Sequence, residues 1–231
     1  MLCTVLTGTL LICAVSLIYL SIYQHAGDEA EAAMSGSDTV SVSRVDGGYL
    51  FDGPSDSRAI IFYQGAKVEC RAYAPLMLRL AESGFDCFLA DMPFNFAVFG
   101  SDIADKFVGS YQYDTWIMAG HSMGGIMAAS YAGAHTDRIA GIVLLAAYPS
   151  ETVDNCQKLC SVYGSRDGVL NREQYEADRA YWPVGSAEFI IQGGNHAQFG
   201  DYGFQSGDNP ADITAYEQQS QTVDAVTGFF E

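Results

Sequence analysis

Ser122 lies at the centre of Gly120-His121-Ser122-Met123-Gly124-Gly125. A serine hydroxyl becomes a nucleophile only when a neighbouring base takes its proton, and that base needs a carboxylate to hold its tautomer. Two downstream loops supply both residue types. Gly164-Ser165-Arg166-Asp167-Gly168 carries Asp167, and Gln192-Gly193-Gly194-Asn195-His196 carries His196. The order serine, acid, histidine, each just past an apolar run, suits acyl transfer through a serine-bound intermediate. Among the other histidines, His25 falls in an acidic stretch and His135 at the far end of the helix after Ser122. His121 is inside the turn, its side chain expected to point away from the nucleophile. Asp154 and Asp178 are the nearby alternatives to Asp167.

A tetrahedral intermediate also needs backbone N–H donors. One is expected from Met123, directly after the nucleophile. The other is expected from the loop Gln64-Gly65-Ala66-Lys67, where Ala66 is the donor and Gly65 makes room. Lys67 and Glu69 are placed at the mouth of the site. Phe94, Phe96, Phe99, Tyr148 and Trp182 are candidate walls of an apolar pocket, with Lys67, Phe94 and Tyr148 the substrate-binding candidates.

These residues need a scaffold that presents loops at one end of a sheet. Trp116-Ile117-Met118-Ala119 before Ser122 reads as a strand, and Ile126 to Ala132 after it as a helix. A strand, a sharp Gly-rich turn and a helix force the serine into a strained backbone conformation that lifts its hydroxyl clear. Val40 to Val45 and Tyr49 to Phe51 flank Asp46-Gly47-Gly48, a hairpin signal. The runs Ala59–Tyr63, Phe85–Ala90, Thr115–Ala119, Ile139–Ala147, Leu159–Tyr163 and Ala187–Ile191 read as buried strands. Helices are expected around Tyr73–Leu80, Phe96–Phe107, Asn171–Tyr181 and Ile213–Phe230. The last is expected to be capped by Asn209 with Pro210 in its first turn, its stripe Ile213, Tyr216, Val223, Val226 and Phe230 facing the sheet. This alternation is that of an α/β protein with a doubly wound, mostly parallel sheet. The Ala147–Leu159 connection leaves no room for a cap domain, so the site is expected to be open.

The chain has 231 residues and a formal net charge of −17, which argues against nucleic acid and against electrostatic docking on anionic lipid. Met1 to Tyr23 contain no charged side chain. A helix of this length, at about 1.5 Å per residue, crosses a hydrocarbon core of roughly 30 Å. One N-terminal transmembrane helix, residues 1–23, is therefore expected to precede a flexible acidic linker, residues 24–39, and a domain over 40–231. The anchor would hold the domain outside the cytoplasm; secretion after cleavage near His25-Ala26-Gly27 is the competing expectation. Of six cysteines, Cys70, Cys87, Cys156 and Cys160 fall in the domain, with free buried thiols the expected state. There is no Cys-x-x-Cys and the histidines are scattered, so neither metal nor cofactor is expected.

The chain resembles the alpha/beta-hydrolase superfamily, and within it small, lidless, membrane-tethered bacterial members akin to dienelactone hydrolases. The resemblance rests on Tyr63-Gln64-Gly65-Ala66-Lys67-Val68-Glu69, Arg71-Ala72-Tyr73-Ala74-Pro75-Leu76 and Met92-Pro93-Phe94-Asn95. It continues through Gly120 to Gly125, Tyr163 to Gly168, Gly193-Gly194-Asn195-His196-Ala197-Gln198-Phe199-Gly200 and Glu217-Gln218-Gln219. It implies a serine hydrolase acting on a small-molecule ester, thioester or lactone. Transfer to an acceptor other than water, or a non-catalytic binding module, are the competing readings. Cys70 departs from the pattern where a proline or small turn residue is expected, which places a thiol near the mouth. Ala66 departs from it where a second glycine is common.

Overall fold

Uninterrupted apolar runs form the centre of the sheet. The computed structural model describes residues 19–54, 57–154 and 157–231. Its strands are β1 (Ser41–Val45), β2 (Gly48–Asp52), β3 (Arg58–Tyr63), β4 (Asp86–Ala90), β5 (Thr115–His121), β6 (Ile139–Leu145), β7 (Lys158–Gly164) and β8 (Ala187–Ile191). They form one sheet in the order β1-β2-β4-β3-β5-β6-β7-β8. The β1–β2 and β2–β4 pairs are antiparallel, and all pairs from β4 through β3 to β8 are parallel. In β3, Ile60, Ile61 and Phe62 are all buried, as expected of a strand covered on both faces.

The helices are α1 (Asp28–Ala33), α2 (Ala74–Glu82), α3 (Ala104–Ser110), α4 (Met123–Ala134), α5 (Arg172–Asp178) and α6 (Ala215–Phe230). Leu76, Met77 and Leu80 of α2 share one core with Val223 and Val226 of α6. Ala128, Ala129 and Ala132 of α4 fill the opposite layer with Phe107 of α3. The small side chains of α4 let it lie close on the sheet. After β3 the chain goes to β4 on one side, then returns to β5 on the other. The winding therefore reverses between β3 and β5, and such a switch point opens a crevice at the carboxyl ends of the strands. Ser122 ends β5 there, and the Gln64–Lys67 loop ends β3. Residues 146–157 join β6 to β7, and their described part forms no helix or cap.

Several elements differ from the sequence expectation. Residues 24–39 are not a slack linker. Ala30 and Ala33 of α1 are buried, and α1 packs on α2. Asp201 fixes this segment by accepting from the Gly27 amide at its carbonyl (2.8 Å) and from the Ala30 amide at its carboxylate (2.9 Å). Over Phe96–Phe107 the structure has one 3-10 turn, Ala97–Phe99, and then α3 in place of a continuous helix. Gly100, at φ −144° and ψ 33°, lies outside the helical region and ends the turn. The cap of α6 is Thr214, not Asn209. Its hydroxyl accepts from the Glu217 amide while Glu217 accepts from the Thr214 amide, a capping box. Tyr216 is turned out to solvent with Arg79 above its ring. The buried face of α6 instead includes Gln218, Gln219 and Thr222.

Cys70, Cys87 and Cys160 are free and buried. Burial pushes the Cys70 thiol well up, so it stays protonated. Cys156 lies outside the described residues. So does most of the expected transmembrane segment, residues 1–18; among the described residues no helix is long and apolar enough to cross a membrane.

Candidate active site

The turn after β5 carries Ser122 at φ 54°, ψ −124°, a conformation that costs a non-glycine residue of order 1–3 kcal/mol. The surrounding packing holds it. The Ser122 amide donates to the Leu145 carbonyl of β6 (2.9 Å), and the Ser122 carbonyl accepts from the Gly125 and Ile126 amides of α4 (3.0 and 3.3 Å). Close packing explains the glycine two residues on. A Cβ on Gly124 would meet the Tyr63 and Gln64 carbonyl oxygens at 2.3 Å. Residue 124 must therefore be glycine for α4 to start against the end of β3. Ser122 is half-buried and Met123 is exposed at the start of α4.

Asp167 and His196 are brought together as expected. His196 Nδ1 and Asp167 Oδ2 are 2.8 Å apart, both side chains buried. The other carboxylate oxygen accepts from the Val169 and Leu170 amides, each at 2.8 Å. Burial opposes ionisation of Asp167. The hydrogen bond to His196, its charge, and the two amides outweigh that and hold the carboxyl below the usual range. A carboxylate only accepts, so the neutral ring carries its proton on Nδ1. That leaves Nε2 as the lone-pair nitrogen, buried and without a hydrogen-bond partner among the described residues.

The two loops are stitched together by groups the sequence did not reveal. The Arg166 amide donates to the Gly194 carbonyl (2.8 Å), and Ser165 Oγ accepts from the Gly193 amide (2.9 Å). Asp208, almost fully buried, accepts from Gly168 of the acid loop (3.0 Å) and from Ala197 beside the base (2.9 Å). Gln218 of α6 receives the Asn195 amide on Oε1 (2.9 Å) and donates Nε2 to the Asn195 carbonyl (2.8 Å). The one advance signal was a polar Gln218-Gln219 pair on a helix that should show an apolar face to the sheet.

His121 corrects another expectation. Its ring does not point away from the site but lies against His196, with ring centroids 4.4 Å apart. Burial first, and the neighbouring His196 ring, beside which a second positive charge is unfavourable, keep the His121 pKa well below its ordinary value, so the ring is neutral. Its Nδ1 is 2.8 Å from Tyr73 Oη, and the Gly65 amide donates to the same hydroxyl (3.1 Å). The Tyr73 proton therefore goes to His121 Nδ1. Gly65 has to be glycine here, because a Cβ would lie 2.8 Å from Tyr73 Oη and 3.0 Å from His121 Nδ1. This chain of bonds fixes the loop after β3 relative to the nucleophile turn.

Within that loop the amides sort themselves. Gly65 donates to Tyr73, and Lys67 donates to the Asn95 carbonyl (2.8 Å). The Ala66 amide between them has no such partner among the described residues. The Met123 amide opens α4 and is one of the four at a helix start that lack an intrahelical acceptor. Gln64, fully buried, ties the loop to its neighbour by accepting from Met92 and donating to Val68 and Asn95.

Removing the Tyr73 hydroxyl would leave a buried donor and a buried acceptor unpaired. Tyr73→Phe is expected to lower stability by about 3 kcal/mol, at 1–3 kcal/mol per orphaned group, measured by urea unfolding. Because Ala66 is carried by the same loop, kcat should fall about tenfold with KM for a small ester little changed, as expected when only transition-state contacts weaken.

The substrate-binding candidates do not converge. Lys67 (φ 59°) holds its ammonium 4.0 Å above the Tyr19 ring. Phe94 is exposed and packs edge-on to Phe99. Tyr148 is half-buried against the core, and Trp182 packs on Tyr175. Glu69 binds Arg71 and the Ala26 amide; burial resists its ionisation, but these partners keep its pKa low. Among the described residues no cluster of His, Cys, Asp or Glu is placed to hold a metal ion.

A family profile described as "Alpha/beta hydrolase family" matches residues 59–220. No curated protein matches in sequence. Solved structures share the fold. An esterase of M. tuberculosis is 12% identical with a TM-score of 0.62, covering 88% of this chain and 96% of its own. Est1E from Butyrivibrio proteoclasticus is 16% identical with a TM-score of 0.58, covering 84% and 98%. A dienelactone hydrolase from Anabaena variabilis is 14% identical with a TM-score of 0.57, covering 79% and 89%.

Proposed function

Because the chain belongs to the alpha/beta hydrolase family, we propose that it is a serine hydrolase that cleaves a carboxylic ester-type bond through an acyl-enzyme on Ser122. The observation that carries this reading is the buried His196. Asp167 holds its Nδ1, and its Nε2 is unpartnered on a ring that lies against the residue preceding Ser122. In this reading Nε2 takes the Ser122 proton as Oγ attacks the carbonyl carbon. The protonated ring then returns that proton to the departing alkoxide or thiolate, which leaves as the alcohol or thiol. Water repeats the sequence on the acyl-enzyme: it gives a proton to Nε2 as its oxygen attacks, and Nε2 passes that proton to the departing Ser122 Oγ as the acid is released. Asp167 remains ionised throughout and stabilises the imidazolium. The Ala66 and Met123 amides receive the developing oxyanion.

The same reading places the domain outside the cytoplasm on a single-pass anchor formed by the apolar N-terminus. The M. tuberculosis esterase among the structural neighbours supports an ester substrate. The test is covalent labelling of the full chain with a fluorophosphonate. Wild type should gain one adduct, located by peptide mass at Ser122, and Ser122→Ala should gain none. Labelling that persists in Ser122→Ala would mean another nucleophile; no labelling of a folded wild type would favour a binding module.

A further inference from the structure

The exposed apolar side chains are unevenly placed. Tyr19, Ile22, Phe94, Phe99 and Phe204 are each more than half exposed, and Met123 is exposed beside the nucleophile. All belong to segments gathered at the carboxyl end of the sheet. Gln24 pairs with Val68 as a parallel bridge, its amide donating to the Lys67 carbonyl (2.7 Å) and its carbonyl accepting the Glu69 amide (2.9 Å). Tyr19 lies under the Lys67 ammonium. The turn bearing Phe99 packs on α4, the helix that Met123 opens. A hollow of about 290 Å³ is lined by Ile22, Ala66 and Gln205, the last next to Phe204. Clustered exposed apolar surface of this kind marks a contact surface.

The chain that leads into this cluster indicates what covers it. Residues 1–18 lie outside the described part, and they and the next five carry no charge. They arrive at Tyr19, which touches the loop that holds Ala66. No slack follows, since Gln24, Ala26, Gly27 and Ala30 are all bonded to the domain. An apolar segment seated in a bilayer would therefore hold the mouth of the site against that bilayer. With a net charge of −17, attraction to anionic lipid contributes nothing to this docking; apolar contact does.

We infer that the mouth of the Ser122 site faces the lipid bilayer, and that its substrate is a long-chain acyl ester drawn from that bilayer rather than a freely soluble one. The substrate class rests on the serine hydrolase reading; the orientation does not.

The full chain is reconstituted in phosphatidylcholine vesicles containing dibrominated acyl chains, which quench nearby indoles. Phe204→Trp should be quenched at least about twofold above the background of Trp116 and Trp182. Val184→Trp should not be, because Val184 precedes β8 at the opposite end of the sheet and is 85% exposed. Equal quenching at both positions, or at neither, overturns the orientation. For the substrate class, p-nitrophenyl palmitate in phosphatidylcholine vesicles is compared with p-nitrophenyl butyrate in solution. The palmitate should be turned over about tenfold more efficiently. Ile22→Ser with Phe204→Ser should remove that advantage, each lost apolar contact being worth up to about tenfold in partitioning, while butyrate turnover stays unchanged. Palmitate turned over no better than butyrate overturns the substrate class with the hydrolase reading intact. Absence of Ser122-dependent turnover of both esters overturns the hydrolase reading and leaves the quenching result standing.

Discussion

Ser122→Ala should abolish turnover, with kcat falling about a hundred-thousandfold to a millionfold, the scale seen when a serine nucleophile is removed from its triad. The comparison with Ser122→Gly separates chemistry from folding. Ser122 has φ 54°, and alanine inherits that strain, so Ser122→Ala should unfold at nearly the wild-type denaturant midpoint. Glycine visits such conformations without a Cβ penalty. Ser122→Gly should therefore raise stability by about 1 kcal/mol, at the same loss of activity. A stabilised, inactive Ser122→Gly would mean that the elbow holds strain for the sake of the hydroxyl's position. A Ser122→Ala protein that keeps even a hundredth of wild-type kcat would remove Ser122 from the nucleophile role. Urea unfolding and steady-state hydrolysis of a p-nitrophenyl ester read both quantities on the same preparation.

The chain's legibility divides along the range of the interactions. The central strands were readable because burial on both faces demands continuous apolar residues, a local property of Ala59–Tyr63 or Ile139–Leu145. Asp167 was readable because it follows such a strand, β7, and His196 because it follows the apolar run of β8, although β8 is an edge strand with Ile190 exposed. Tyr73 and His121 were not, since their hydrogen bond joins residues 48 apart and neither has a local pattern. Asp208 is equally silent, sitting in a loop where an aspartate suggests only solvent. Its role exists because Gly168 and Ala197 are folded against it. The acidic stretch 24–39 misled for the same reason: Gly27 to Thr39 has no periodicity, yet Asp201, 171 residues beyond Ala30, fastens it. The end of α6 shows a smaller failure, in which Asn209-Pro210 looked like a cap while Thr214 and Glu217 formed the box. Two start signals a few residues apart are separable only by where the chain leaves the base loop, and that is set by tertiary contacts.

The second large effect is expected at Asp167. One carboxylate oxygen accepts the Val169 and Leu170 amides while the other faces His196 Nδ1. In Asp167→Asn the carbonyl oxygen must keep the two backbone donors, because an amide NH₂ there would face N–H groups. The NH₂ is then forced toward His196 and donates to Nδ1. That shifts the ring proton to Nε2, the nitrogen that must take the Ser122 proton. The substitution preserves shape and inverts the tautomer, and kcat should fall about ten-thousandfold. Fluorophosphonate labelling should slow in parallel, since it needs the same deprotonation. A pH signature accompanies this. The folded pKa of Asp167 is held below its unfolded value, which is about 3.9. Its pairing therefore contributes full stability above that value, and the contribution is lost as pH falls through the lower folded value. Asn cannot titrate, so Asp167→Asn should show a shallower loss of stability below about pH 4 than wild type. Urea midpoints measured from pH 6 down to pH 2.5 test it. Parallel curves for the two proteins would show that Asp167 is not held ionised by His196, and normal turnover by Asp167→Asn would mean that another acid orients the base.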